Sequence, residues 1–199
     1  MDQRSFLEGL TFKVADASER LRALELVSQV FAEDVGHFAM DEFDAEANYF
    51  VALEASERVI ATFRLVGPRQ RPFDLERLIN LPDFVAAGRS PGLVGRLCVH
   101  RDYRTVSRKI LLPMCMLKLA HLFCRKHGIT DLLLYTGQHL VNLYKGAYFR
   151  VLEPVVEHPQ WGRVRVMHLD LLEFWSRHRE SRQPVARFLL RTDLPNFRI

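Results

Sequence analysis

Apolar and polar positions alternate loosely from Leu10 to Val14, which predicts a first strand. Leu21, Leu24, Val27, Val30 and Phe31 then recur at helical spacing and give one apolar stripe on a helix. Either Asp16 or Ser18 can cap its start, since each offers a side-chain oxygen to free backbone N–H groups. Residues 35–47 form an acidic, irregular connection, and 49–54 with 58–66 alternate as a hairpin turning near Ala55, Ser56 and Glu57. Pro72, Pro82, Gly88 and Pro91 punctuate a loop with a short helix.

Residues 93–99 predict a buried strand, and a long apolar helix follows it. Pro113 lacks an N–H and suits only a first turn, which places the helix start no earlier than about Lys109; Gly128 suits its left-handed C-cap. A strand over 130–135, a short helix over 139–145 and a hairpin of 148–157 with 163–169 come next. A helix over 171–179 closes the pattern, and the remainder reads as a loosely packed tail. Hairpins mixed with crossovers predict an α/β (α+β) fold, a mixed sheet flanked by helices.

At 199 residues the chain fits one domain, with a core over about 10–170 and a C-terminal helix and basic tail over 171–199. No apolar run approaches the roughly 18 residues of a membrane span. The N-terminus leads into no apolar signal region, so a cytoplasmic protein is expected. Cys98, Cys115 and Cys124 lack the spacing of a metal site and fit buried, reduced thiols; His121 and His127 have no ligand pair beside them, so no metal is expected. The net charge is +4, with Arg101, Arg104, Arg108 and Lys109 in one basic cluster and further arginines from Arg177 to Arg198. No nucleic-acid-reading motif accompanies them, and no nucleic-acid partner is expected.

Two arginines stand inside apolar strand patterns, Arg64 between Phe63 and Leu65 and Arg96 between Val94 and Cys98. A buried charge without a partner is costly, so each needs a carboxylate or carbonyls. Asp41 and Asp44, three apart in the acidic connection, can hold a guanidinium or a substrate ammonium.

Three stretches carry a family likeness: Asp41-Glu42-Phe43-Asp44 with Tyr49 and the strand Ala61-Thr62-Phe63-Arg64-Leu65; Gly95-Arg96-Leu97-Cys98-Val99 with Tyr103-Arg104 and the long helix; and Leu143-Tyr144-Lys145-Gly146-Ala147-Tyr148-Phe149. Together, from about Phe12 to Leu169, they resemble the GNAT-superfamily N-acyltransferases, in the branch of acyl-homoserine-lactone synthases and long-chain N-acyl amino acid synthases. The resemblance implies a mostly antiparallel sheet with a V-shaped splay between two central strands. It implies transfer of a medium or long acyl chain from an acyl-phosphopantetheine thioester to a primary amine, an amino acid or a derivative. Acyl-homoserine-lactone synthesis, the acyltransferases of exopolysaccharide and protein-sorting systems, and a non-catalytic acyl-carrier-binding domain are the alternatives.

On that resemblance Asp41, Asp44 and Arg64 help shape the acceptor site, Arg96 is the arginine of the branch's Glu-x-x-Arg pattern and a catalytic candidate with them, and Tyr144 protonates the departing thiolate. Where the branch has a glutamate as candidate base, this chain has Leu93, which leaves water, an aspartate of the 41–44 pair, or His100 to take the proton. Cys98, Val99, His100, Arg101, Arg104, Ser107, Arg108 and Lys109 form the donor region. There Ser107 and Lys109 replace the small residues that cradle a coenzyme A pyrophosphate, while the basic cluster suits the single phosphate on an acidic acyl carrier protein. Acyl carrier protein is therefore the expected partner and donor ahead of coenzyme A, with no permanently bound cofactor and with peripheral membrane contact open. The lactone subtype also uses an N-terminal arginine, phenylalanine and tryptophan; Phe31 matches the phenylalanine, and Val27 and His37 stand at the other places.

Overall fold

The computed structural model describes residues 7–36, 38–104, 108–152, 155–192 and 194–199. Ser107 and His37 lie outside them, as do the side chains of Arg108 and Lys109. The described strands are β1 (Leu10–Val14), β2 (Asn48–Glu54), β3 (Val59–Val66), β4 (Pro91–Val99), β5 (Asp131–Thr136), β6 (Arg150–Val151), β7 (Val156–His158), β8 (Gly162–Asp170) and β9 (Phe197–Arg198). The described helices are α1 (Ala17–Val35), α2 (Arg108–His127), α3 (Val141–Gly146), α4 (Leu171–His178) and α5 (Pro184–Leu190). Most pairings are antiparallel, and β1 with β9 and β4 with β5 are parallel, so the fold is the mixed α/β arrangement expected.

The chain divides into two compact units, the first of residues 1–65, 96–123 and 191–199, the second of 66–95 and 124–190. In the first, strands follow one another as β9, β1, β2, β3 and the end of β4. All eight residues of β3 are buried, which is why its pattern is almost unbroken apolar. α1 starts in a reciprocal capping box. The Asp16 carboxylate accepts from Ser18 N–H at 3.0 Å and Glu19 N–H at 2.9 Å, and Glu19 accepts from Asp16 N–H at 2.9 Å. Its buried stripe is Ala23, Leu26, Val27 and Val30; Leu21, expected on it, is 61% exposed.

In the second unit the start of β4 pairs with β5, which pairs with β8, which pairs with β6. β4 and β5 register over Pro91 to Leu93 against Asp131 to Leu133, whereas β5 continues along β8 as far as Thr136. α2 begins at Arg108, so Pro113 sits just past its first turn. Its C-cap is Gly128 in the left-handed region at φ 68°, as the sequence predicted.

The C-terminal segment is not a loose tail. α5 buries Ala186 and Leu189, and β9 adds a parallel strand to β1 with Phe197 stacked on Phe12 at 4.6 Å. The pattern missed β9 because a two-residue strand has no period to show. No helix among the described residues is long and apolar enough to cross a membrane.

Candidate functional site

The first unit buries a lattice of two arginines and two aspartates. Register places Tyr49 of β2 opposite Arg64 of β3, so both side chains leave the sheet on one face. Arg64 Nη1 donates to Asp41 Oδ1 at 2.6 Å and to Asp44 Oδ1 at 2.5 Å. The Tyr49 hydroxyl donates to the same Asp44 oxygen at 2.5 Å. Residues 41–44 are folded as a tight turn that completes the carboxylate shell: Asp41 N–H donates to Asp44 Oδ2 at 2.8 Å, and Phe43 N–H to Asp41 Oδ1 at 3.0 Å.

Arg96 enters from β4 with its backbone in the left-handed region, φ 53°. For a side chain that conformation costs about 1–3 kcal/mol and persists only where the surroundings hold it. They do so here. Nη2 donates to Ala39 O at 3.1 Å, Asp41 Oδ2 at 3.1 Å and Asp44 Oδ2 at 3.0 Å. The guanidinium also lies over Phe38 at 4.7 Å and Phe31 at 5.7 Å, two cation–π contacts. Arg96 is 8% exposed and Asp44 fully buried, so the burial expected from the apolar pattern is what the structure has.

Burial on its own would raise the Asp44 carboxyl. The charge of Arg64, the Tyr49 hydroxyl and the charge of Arg96 outweigh it and leave the group below the ordinary carboxylate range. Tyr49 is pushed up, by burial first and by its bond to Asp44 second. Among the buried polar atoms of the described residues that have no hydrogen-bond partner are Arg64 Nε, Arg96 Nε and Thr62 Oγ1. Thr62 stands two residues before Arg64 on the same face of β3. Buried donors left unmade cost about 1–3 kcal/mol each, and such groups cluster where a water or ligand completes them.

After β4 the basic residues are arranged unequally. Arg104 gives Nε–H to Val99 O at 2.7 Å, and Nη1 to both Asp34 oxygens at 3.0 and 2.9 Å, which ties this loop to the last turn of α1. Arg101 is 70% exposed at its side chain. The His100 ring accepts from Arg58 Nη2 through Nε2 at 2.7 Å, and its Nδ1 lies against Asp102, 3.3 Å from the N–H and 3.4 Å from the carboxylate. Cys98 is buried, and desolvation lifts its thiol to about 12, so it behaves as a small hydrophobe.

Tyr144 belongs to the second unit, on α3, buried and edge-on to Phe149 at 5.6 Å. The turn after α3 is closed by Ala147 and Phe149 N–H on the Tyr144 carbonyl at 3.0 Å each. Its left-handed position is filled by Tyr148 at φ 70°, a conformation that favours glycine.

The lattice brings together Asp41, Asp44, Arg64 and Arg96. Tyr49, Phe38, Thr62 and the Ala39 carbonyl join them, and none of these four stands out in the sequence as a site residue. For Tyr49 the signal was there: a hairpin turning at 55–58 sets it across from Arg64.

The lattice stands between a first hairpin and a central strand that turns into the left-handed region at Arg96. The family described as "Acetyltransferase (GNAT) domain" matches residues 25–113, a stretch that holds all four lattice residues, and this supports an acyltransferase. Its fold is similar to FeeM, an N-acyl amino acid synthase from uncultured soil microbes, at TM-score 0.72 and 15% identity over 84% of this chain and 93% of that one. It is similar to the AHL synthase LasI at TM-score 0.61 and 14% identity, over 81% and 90%. For BjaI, a CoA-dependent acyl-homoserine lactone synthase with SAM and isopentyl-CoA, the values are 0.61 and 18%, over 91% and 88%. At these identities the likeness is one of fold. No curated protein sequence matches the chain.

Proposed function

We propose that this protein transfers a medium or long acyl chain from a phosphopantetheine thioester to the primary amine of an amino acid or a derivative. The observation that carries the reading is the buried lattice of Arg64 and Arg96 with Asp41 and Asp44, which still holds two guanidinium N–H groups without partners. Such donors suit a carbonyl or carboxylate oxygen of the acceptor. The register of β4 with β5 over Pro91–Leu93 is short, which supports the splay expected between these strands.

In the reaction the amine nitrogen attacks the thioester carbonyl, the C–N bond forms, the C–S bond breaks, and one proton leaves the nitrogen while one reaches the thiolate. Tyr144 is the donor to the thiolate in this scheme. The proton from nitrogen leaves through water. Asp44 is too acidic for a base near neutral pH, His100 has Nε2 taken by Arg58 and Nδ1 against Asp102, and Leu93 is a buried hydrocarbon. Val27 is buried in the α1 stripe, which favours an amino acid acceptor over the sulfonium substrate of a lactone synthase.

An acyl carrier protein is the preferred donor, held by Arg101 with Arg108 and Lys109 near its single phosphate. Cys98 and Val99 end β4 and His100 follows it, beside the phosphopantetheine arm in this reading. The test is mass spectrometry of products from acyl carrier protein and acyl-coenzyme A donors of one chain length, each with mixed amino acids or with S-adenosylmethionine. N-acyl amino acids, made faster from the carrier protein, are expected. Equal turnover with coenzyme A refutes the donor preference, a lactone product refutes the acceptor, and no amide from any pair refutes acyl transfer.

A further inference from the structure

The second unit holds a cavity of about 290 Å³, lined among others by Tyr148, Arg150, His168, Phe174, Arg177 and His178. That is at the lower end of the range of about 300–1,000 Å³ in which small-molecule sites fall. Its floor is an ordered polar chain. β6 pairs with β8 so that Arg150 faces His168, and Arg150 donates Nε–H and Nη2–H to His168 Nδ1 at 3.2 and 3.0 Å. With Nδ1 accepting, Nε2 carries the ring proton and donates it to Asp131 Oδ1 at 2.8 Å. Asp131 is held in turn by Arg89 at 2.8 and 2.9 Å and by the Thr130 hydroxyl at 2.7 Å. Arg89 continues to Asp170 at 2.7 Å, and Asp170 caps α4 through Glu173 N–H at 2.8 Å.

The charges around the cavity balance overall, with Arg89 shared between Asp131 and Asp170, but Arg150 touches none of the carboxylates. Asp170 is taken by Arg89, and Glu173 by Arg177 at 2.8 Å. Arg150 is exposed, donates only to a neutral imidazole, and has no ion pair among the described residues. Of its five N–H groups two point at His168, which leaves Nη1 and one proton of Nη2 as a free edge. That edge fits the two oxygens of a carboxylate.

The rest of the lining is partly aromatic. Tyr148, Phe174 and His178 form a closed triad, with ring centroids 5.0, 4.7 and 5.0 Å apart. The triad depends on Tyr148 occupying a backbone conformation, φ 70°, that a side chain adopts only at a cost. Its hydroxyl is fixed by Gln183 at 2.5 Å.

We propose that this cavity is a binding site for a small organic monocarboxylate with a flat, aromatic body. Its carboxylate sits on the free edge of Arg150, and its ring lies against Tyr148 and His178. His168 and Asp131 are positioning residues that hold the guanidinium. The one fork among the lining residues that no carboxylate contacts takes a single carboxylate, and the paired carboxylates leave nothing for a metal cation. The site is independent of the acyl-transfer reading, since none of its residues belongs to the Arg64 and Arg96 lattice.

The experiment is calorimetric titration of the full chain with 3-phenylpropionate, inorganic phosphate and benzyl alcohol. Saturable binding of phenylpropionate below about 10 mM is expected, with phosphate and benzyl alcohol at least about tenfold weaker, since each lacks one half of the recognition. Arg150→Gln is expected to weaken phenylpropionate about tenfold or more and Arg150→Lys by less, because the fork is lost but the charge is kept. His178→Ala weakens phenylpropionate and leaves phosphate unchanged. Arg177→Gln, at a charge already matched by Glu173, changes either by less than about threefold. Unchanged melting temperatures for the Arg150 variants show that the fold is intact. The proposal is overturned by no saturable binding, by phosphate or benzyl alcohol binding as well as phenylpropionate, or by equal binding in Arg150→Gln.

Discussion

Replacing Asp44 by Asn tests whether the lattice is as tightly coupled as its geometry implies. Asp44 is fully buried and accepts four hydrogen bonds, from Arg64 Nη1, Arg96 Nη2, the Tyr49 hydroxyl and Asp41 N–H. The amide keeps the shape but turns an NH₂ toward two guanidinium groups and removes one of the two charges that balance them. Breaking a buried pair in this way costs about 3–5 kcal/mol. For a chain of this size each kcal/mol moves the melting temperature by about 2–4 °C, so a fall of roughly 6–20 °C is expected. Asp41→Asn is the internal comparison. Its side chain is 29% exposed, so water screens the loss, and a cost near 1 kcal/mol is expected.

Urea unfolding at pH 7 measures both, and the cycle with Arg96→Met isolates the coupling, expected to exceed about 1 kcal/mol. The pH dependence carries an independent sign. The folded-state pKa of Asp44 is depressed, so its stabilisation is fully present above the unfolded value of 3.8 and disappears as pH falls through the lower folded value. The gap between wild type and Asp44→Asn is therefore flat from neutral pH down to about 5 and closes below about 4. A cost under about 1 kcal/mol for Asp44→Asn, or a cycle without coupling, refutes the claim that Asp44 is the centre of the lattice.

Two further outcomes concern groups the proposed chemistry does not use. His121, buried on α2, has its pKa lowered by desolvation from 6.5 to about 3, so between those values the unfolded chain binds a proton that the folded chain does not. Stability then falls by about 1.4 kcal/mol per pH unit as pH drops below 6.5, and His121→Met is expected to remove that slope between pH 6.5 and 5; an unchanged slope in urea melts contradicts it. Lys118 is fully buried, donates to the Arg191 carbonyl and lies 5.5 Å from the Phe197 ring. Deleting 191–199 is expected to cost about 3 kcal/mol or more, and Lys118→Met to recover much of that loss; equal sensitivity in both backgrounds shows that the ammonium is not what the C-terminal segment secures.

The sequence by itself determined the order and type of most elements, because a helix of nineteen residues or a strand with both faces covered writes its period into the chain. It also determined that Arg64 and Arg96 need buried partners and that Asp41 and Asp44 are candidates, because a lone charge in an apolar run is intolerable in any fold. Only the tertiary structure decided which oxygen meets which nitrogen. That depended on the β2 and β3 register setting Tyr49 against Arg64, and on a left-handed backbone at Arg96 rather than at the neighbouring Gly95. It also decided that Arg104 is spent on Asp34, and that nine C-terminal residues cover Lys118 instead of trailing. The chain of Arg89, Asp131, His168 and Arg150 spans 80 positions and shows no local pattern at all. Periodicity records which face of an element is buried, whereas ion pairs between distant segments depend on distances that exist only once the strands are in register.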